Sequence, residues 1–89
     1  MPVRVLLPAS LRQLAESKKA VMVEGTTVSE VLQNLGALYP KLSASLPTNG
    51  PKRFIQIFVN EEDIRGLDGI DTKLGPGDVV ELLSAVSGG

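Results

Sequence analysis

Short apolar runs bounded by proline, glycine or asparagine divide the chain into strand-sized segments. Residues 3–7 alternate between apolar and polar and end at Pro8, which cannot donate to a β-ladder. Residues 54–59 carry the strongest strand signal, because they are rich in β-branched and aromatic residues, and we place this strand inside the sheet. The predicted strands are residues 3–7, 19–24, 54–59, 61–65 and 79–84, of which the fourth is a turn with a short edge strand. Residues 9–17 are predicted to form a loop or irregular turn held by Leu11 and Leu14.

One helix is predicted after the second strand. Thr27-Val28-Ser29-Glu30 fits a capping box, in which the Thr27 hydroxyl accepts from the amide of Glu30 and the Glu30 carboxylate returns to the cap amide. The apolar positions that follow have the three-and-four spacing of a single buried stripe, and Tyr39-Pro40 ends the helix. The predicted stripe is Val28, Val31, Leu32, Leu35 and Leu38. A second short helical turn is expected from Pro40 to about residue 46, then a loop over residues 47–51.

These elements predict an α+β domain. A single helical stripe is buried most simply against one mixed sheet of four to five strands in the order ββαβββ, which is the β-grasp layout. We expect the folded domain to span residues 1–84 and to be followed by a flexible tail at residues 85–89. A tight turn at Gly75-Pro76-Gly77-Asp78 introduces the last strand.

Composition narrows the chemistry. The chain has 89 residues, a formal net charge of -1, and neither cysteine nor histidine. Disulfides, thiolate or imidazole metal ligands, and catalytic pairs built on those two residues are therefore excluded. The chain has no basic tract of the kind that binds nucleic acid. No apolar run approaches the roughly 20 residues that are needed to cross a bilayer, so we expect a cytoplasmic protein without membrane contact. The acidic residues around Glu61-Glu62-Asp63 lack the spacing of a calcium loop, and we expect no metal and no bound cofactor.

The C-terminal segment offers a reactive group that belongs to the backbone. Residues 84–89 are small and uncharged and end in Gly88-Gly89. Six extended residues reach roughly 20 Å, enough to thread a narrow cleft of another protein, and glycine lets such a channel close around the backbone. The alternative is that the two glycines are an ordinary frayed end.

The chain resembles the ubiquitin-like sulfur carriers of the ThiS/MoaD type along nearly its whole length. The resemblance lies in the opening strand, the Thr27 helix start, the segment 57–65 (IFVNEEDIR), the segment 69–72 (GIDT), the segment 77–80 (GDVV) and the terminal Gly-Gly, in this order. The segment 53–65 and the loop 47–51 look most similar to the carriers of cysteine biosynthesis (CysO-like), which supply sulfide to a pyridoxal-phosphate enzyme that makes cysteine.

The resemblance implies a protein cosubstrate, not an enzyme. In this family an ATP-dependent, E1-like activating enzyme adenylates the terminal carboxylate, here that of Gly89, and a sulfur donor displaces AMP to leave a thiocarboxylate. ATP is used by that partner. A biosynthetic enzyme of the cysteine, thiamine or molybdopterin pathway then accepts the sulfur, and Gly88, Ser87 and Val86 are expected to be recognised as the tail threads the cleft.

Three alternatives stay open at this stage. The chain could be a covalent modifier that is joined through Gly89 to lysines of other proteins, or the small subunit of molybdopterin synthase. It could also be a plain binding module with an incidental Gly-Gly end.

Alternation within the strands predicts a docking face. If Gln56 and Glu81 face water, their strands send every second residue to the core and the others outward. The inward set is Ile55, Ile57, Val59, Val80 and Leu82, and the outward apolar set is Leu6, Phe54, Phe58, Val79 and Leu83, together with Arg4. We expect Leu6, Phe54, Phe58 and Leu83 to form a partner-docking patch beside the base of the tail.

Overall fold

A five-stranded mixed sheet packs against one main helix in the computed structural model, which describes residues 2–46 and 55–84. The α+β, β-grasp class that the sequence predicts is therefore confirmed. The elements are β1 (Pro2–Leu6), α1 (Ala9–Arg12), β2 (Ala20–Glu24), α2 (Val28–Leu38), α3 (Pro40–Ser43), β3 (Ile55–Val59), β4 (Glu62–Asp63) and β5 (Val79–Ser84), with 3₁₀ turns at Gln13–Ala15, Ile64–Gly66 and Gly69–Asp71.

The strands lie in the order β2-β1-β5-β3-β4. The central pair, β1 and β5, is parallel, and the other neighbours are antiparallel. The strand that precedes Asn60 lies inside the sheet, between β5 and β4, as predicted. Because β1 and β5 run in the same direction, the carboxyl end of β5 lies at the same end of the sheet as the carboxyl end of β1. The five residues of the predicted tail follow β5 in the sequence and lie outside the described residues, so the division at residue 84 stays a prediction.

Helix α2 covers the inner face of the sheet. Val28, Val31, Leu32 and Leu35 are fully buried, in agreement with the predicted stripe. The prediction for Leu38 was wrong, since this side chain is 58% exposed. It lies in the last turn of α2, where α3 packs beside the helix and supplies the buried Leu42, with Leu46 buried just beyond α3.

The start of α2 uses the predicted capping box with one change. The Thr27 hydroxyl accepts a hydrogen bond from the Glu30 amide at 3.1 Å, as expected. The Glu30 carboxylate, however, accepts from the amide of Thr26 at 2.7 Å, one residue before the cap. It also accepts from the Thr26 hydroxyl at 3.2 Å, so Glu30 stabilises the chain as it enters the helix rather than the cap residue itself.

Residues 9–17 are more regular than the sequence suggests. In place of an irregular loop, α1 continues directly into a 3₁₀ turn. Leu11 and Ala15, one helical turn apart, are both buried, so tertiary packing stabilises a helix too short to form alone. Leu14 packs against the core as expected, and the Arg12 Nε donates to the carbonyl of Leu7 at 3.1 Å, tying the helix to the end of β1.

A polar network fixes the start of β5. Asn60 and Glu61 have positive φ angles of 50° and 72°, which suits the tight turn between β3 and β4. The Asn60 side chain accepts from the Val79 amide at 3.0 Å and donates to Asp78 at 3.0 Å. Asp78 also accepts from the amide of Gly75, and these two hydrogen bonds, that of Gly75 first, hold the pKa of Asp78 below its usual range. The predicted 75–78 turn is thus confirmed.

No helix within the described residues is long and apolar enough to span a membrane.

Candidate functional site

The outer face of the sheet, on the side away from α2, carries the candidate docking site. Alternation along β3 and β5 puts Ile57, Val59, Val80 and Leu82 in the core, each at most 6% exposed, while Ile55 is partly buried. Leu6, Phe58 and Val79 are partly buried on the opposite face, and Leu83 is 36% exposed there. The predicted strand faces are therefore confirmed for these residues. Phe54 lies outside the described residues, and the docking role of the whole set stays a prediction.

The register of the strands defines how these side chains are arranged. Leu6 of β1 is opposite Glu81 of β5, and Glu81 is in turn opposite Phe58 of β3. Val79 and Leu83 occupy the neighbouring outward positions of β5. Directly opposite side chains lie about 5 Å apart, and outward neighbours within a strand about 7 Å apart. Leu6, Phe58, Val79 and Leu83 thus surround Glu81, and we refer to these five residues as the outer patch.

Two features of this face go beyond the sequence prediction. Met22 of β2 is opposite Arg4 and is 58% exposed, which extends apolar surface to the edge of the sheet. The alternation of Val21, Met22 and Val23 was the signal that could have identified it. The central position of Glu81 depends on the pairing of β1 with β5, which the sequence pattern does not give.

The far edge of the outer face is charged. Asp63 of β4 is opposite Phe58 and forms a salt bridge with Arg65, with 2.7 Å between Oδ2 and Nη2. The Arg65 side chain, followed by its backbone amide, holds the pKa of Asp63 below its usual range. Because the Asp63 carboxylate is already paired with Arg65, we regard this ion pair as the charged border of the apolar surface.

The terminal residues that are predicted to react lie beyond the described residues. Val86, Ser87, Gly88 and Gly89, which the sequence assigns to tail recognition and activation, follow β5 by two to five residues. Within the described ranges, no three acidic side chains converge as a set of metal ligands. The outer face beside β5 is therefore a candidate binding face, and both its docking role and the chemistry assigned to Gly89 stay predictions.

Comparison of the sequence with known proteins identifies the family to which this chain is similar. The model described as the ThiS family matches residues 5–89. The sulfur carrier protein CysO of Mycobacterium tuberculosis is 39% identical over an alignment covering 100% of both chains.

Two solved structures agree with this result. CysO of Amycolatopsis orientalis, in a complex described as BexX/CysO, is 32% identical, with a TM-score of 0.89 over 98% of this chain and 99% of the other. The small archaeal modifier protein 1 of Methanosarcina acetivorans is 32% identical, with a TM-score of 0.86 over 99% of this chain and 96% of the other.

Proposed function

The chain belongs to the ThiS family, and from this we propose that it is a sulfur carrier whose terminal Gly89 is converted to a thiocarboxylate. The observation that carries the proposal is the full-length match to a sulfur carrier protein at 39% identity. It covers the C-terminal residues as well as the fold, so the similarity includes the segment that would hold the sulfur.

The proposed reaction starts from an unreactive group. An α-carboxylate has a pKa of about 3.3–3.7 and is a resonance-stabilised anion at neutral pH. One of its oxygens attacks the α-phosphorus of ATP and releases pyrophosphate, which leaves an acyl adenylate on Gly89. Hydrosulfide then attacks the acyl carbon and expels AMP, which keeps the bridging oxygen, while the proton is released to solvent. The product is a thiocarboxylate with one sulfur in place of one oxygen.

The reactions with ATP and hydrosulfide take place in the active site of a partner enzyme. This chain therefore contributes the surface that the partner recognises and the acyl group that reacts. An E1-like activating enzyme would bind the outer patch and receive the tail in its cleft. A sulfur-accepting biosynthetic enzyme would bind next, and the match to CysO favours a pyridoxal-phosphate enzyme that makes cysteine. The complex of a related CysO with BexX supports the idea that a carrier of this fold docks on a partner protein.

The test is ATP–pyrophosphate exchange with the activating enzyme from the same genome. The intact chain should support exchange, and a chain lacking Gly88 and Gly89 should not. The truncated chain should keep a nearly unchanged unfolding temperature, because two glycines have no apolar side chain to contribute to a core. Exchange that persists after truncation would contradict the proposal, and a large drop in unfolding temperature would contradict the idea of an independent tail.

A second candidate function is covalent modification of other proteins through Gly89. The similarity to a small archaeal modifier protein at 32% identity over nearly the whole chain favours it. Both functions share the adenylation step and differ in the nucleophile that follows. Lysine adducts of the tagged chain in extracts of the native organism would support the modifier, and a thiocarboxylate without adducts would support the carrier alone.

A further inference from the structure

Glu81 occupies the centre of the outer patch. It is partly buried, with Leu6 and Phe58 opposite it on the two neighbouring strands and Val79 and Leu83 on either side along β5. A protein surface that contacts these four apolar side chains must therefore also cover the carboxylate between them. The patch cannot be used as an apolar interface without removing Glu81 from water.

Covering a carboxylate has a large cost unless a hydrogen-bond donor or a cation compensates it. The described part of this chain supplies no such group to Glu81, for which neither a hydrogen bond nor a salt bridge is formed. Arg65, which could approach from the edge, is held by Asp63. Arg4 lies diagonally across from Glu81, opposite Val79, and among the described residues it is the one cation of the outer face that could reach Glu81 by a change of rotamer.

We propose that Glu81 is the specificity-determining residue of the outer patch, and that the enzyme docking there presents an arginine or lysine within an apolar surface. This inference rests on the proposed function, because it takes the activating enzyme as the occupant of the patch. The four apolar side chains of the outer patch would exclude water from the ion pair. The ion pair would fix the orientation of docking so that the tail enters the cleft. A partner with a wholly apolar or acidic surface would be rejected.

Two substitutions at this position separate the possibilities. Glu81→Gln keeps the shape and removes the charge, and Glu81→Leu makes the patch continuously apolar. If the partner presents a cation, both should raise the KM for the carrier in ATP–pyrophosphate exchange by roughly tenfold or more, with Leu the worse of the two. If the partner surface is wholly apolar, Glu81→Leu should instead lower KM, and the inference would be overturned.

The controls distinguish charge from folding and from internal pairing. Glu61→Gln makes the same chemical change in the exposed turn after β3 and should leave KM unchanged. Urea unfolding should show that neither Glu81 variant is less stable than the wild type, because removing a carboxylate from among apolar side chains favours the fold. Arg4→Met should leave the KM for the carrier unchanged. An increase in KM as large as that of Glu81→Gln would show that Arg4 is the counter-charge of Glu81 and would contradict the inference.

Failure of the inference differs from failure of the proposed function. Wild-type exchange with unaffected Glu81 variants would refute the role of Glu81 and leave the carrier function standing. A wild-type chain that supports no exchange would refute both, because no activating enzyme would then be docking.

Discussion

Substituting lysine at two adjacent residues of β3 should have opposite consequences for folding and for docking. Ile57 points into the core, is 5% exposed, and is opposite the fully buried Leu82. Phe58 points to the outer face and is partly buried. The two residues share a strand and a local backbone, so Ile57→Lys and Phe58→Lys differ mainly in the side of the sheet that receives the ammonium group.

The magnitudes follow from the environments. Removing a buried isoleucine side chain costs about 2–5 kcal/mol, and an unpaired ammonium group in the core adds several more. The whole domain is expected to have only about 5–10 kcal/mol of stability, so Ile57→Lys should leave it largely unfolded. For Phe58, losing about 100 Å² of apolar burial costs at most about 2.5 kcal/mol.

Two effects reduce the cost at Phe58. The lysine stem keeps part of the apolar contact. Its ammonium group would lie opposite the carboxylate of Glu81 on the flanking strand β5, and this cross-strand pair returns roughly 0.2–1 kcal/mol. We therefore expect a net loss of about 1 kcal/mol for Phe58→Lys.

Urea unfolding and the exchange assay together test this prediction. Phe58→Lys should unfold with a slightly lower midpoint and an unchanged slope, while its KM with the activating enzyme rises at least about tenfold, as for a central interface residue. Equal destabilisation by the two substitutions would refute the assignment of strand faces. A folded Phe58→Lys chain that is activated normally would refute the docking role of the outer patch.

Two further predictions concern the fold. Gly25→Ala should lower the free energy of unfolding, measured by thermal unfolding, by about 1–3 kcal/mol, because its Cβ would lie 2.5 Å from Cγ2 of Val31. Gly66→Ala is the control, since its Cβ meets nothing closer than 4.0 Å, and it should change the free energy of unfolding little. Asp78→Asn should destabilise the domain at neutral pH, and because the folded-state pKa of Asp78 is lowered, its contribution is present above about pH 4 and lost as the pH falls through the folded pKa. The difference from the wild type in urea unfolding should therefore shrink in acid, and a constant difference would contradict this role.

Local signals predicted most of the fold. Strand alternation placed Ile57 and Val80 on the inner face and Phe58 and Leu83 on the outer one, because a period of two is set by the backbone itself. The Thr27 cap was likewise readable, since its hydrogen bond spans only three residues. These features depend on neighbours along the chain.

Long-range packing explains what the sequence did not reveal. Helix α1 is too short to be predicted from helix propensity. It is stabilised by the burial of Leu11, and of Ala15 in the turn that follows it, in the hydrophobic core. Leu38 has the correct spacing for the buried stripe, yet it lies exposed in the last turn of α2, and Leu42 of the neighbouring α3 is buried instead. The position of Glu81 between Leu6 and Phe58 follows from strand pairing between distant segments, which alternation within one strand cannot specify.

The central claim is that Gly89 carries sulfur, and mass spectrometry of the intact chain tests it most directly. After incubation with the activating enzyme, ATP and sulfide, the protein should gain the mass difference between one sulfur and one oxygen, and fragmentation should locate that change at Gly89. A chain extended by one residue beyond Gly89 should show no change, because its former carboxylate is then an amide. Sulfur on an internal residue, or an extended chain that reacts without being trimmed, would contradict the account.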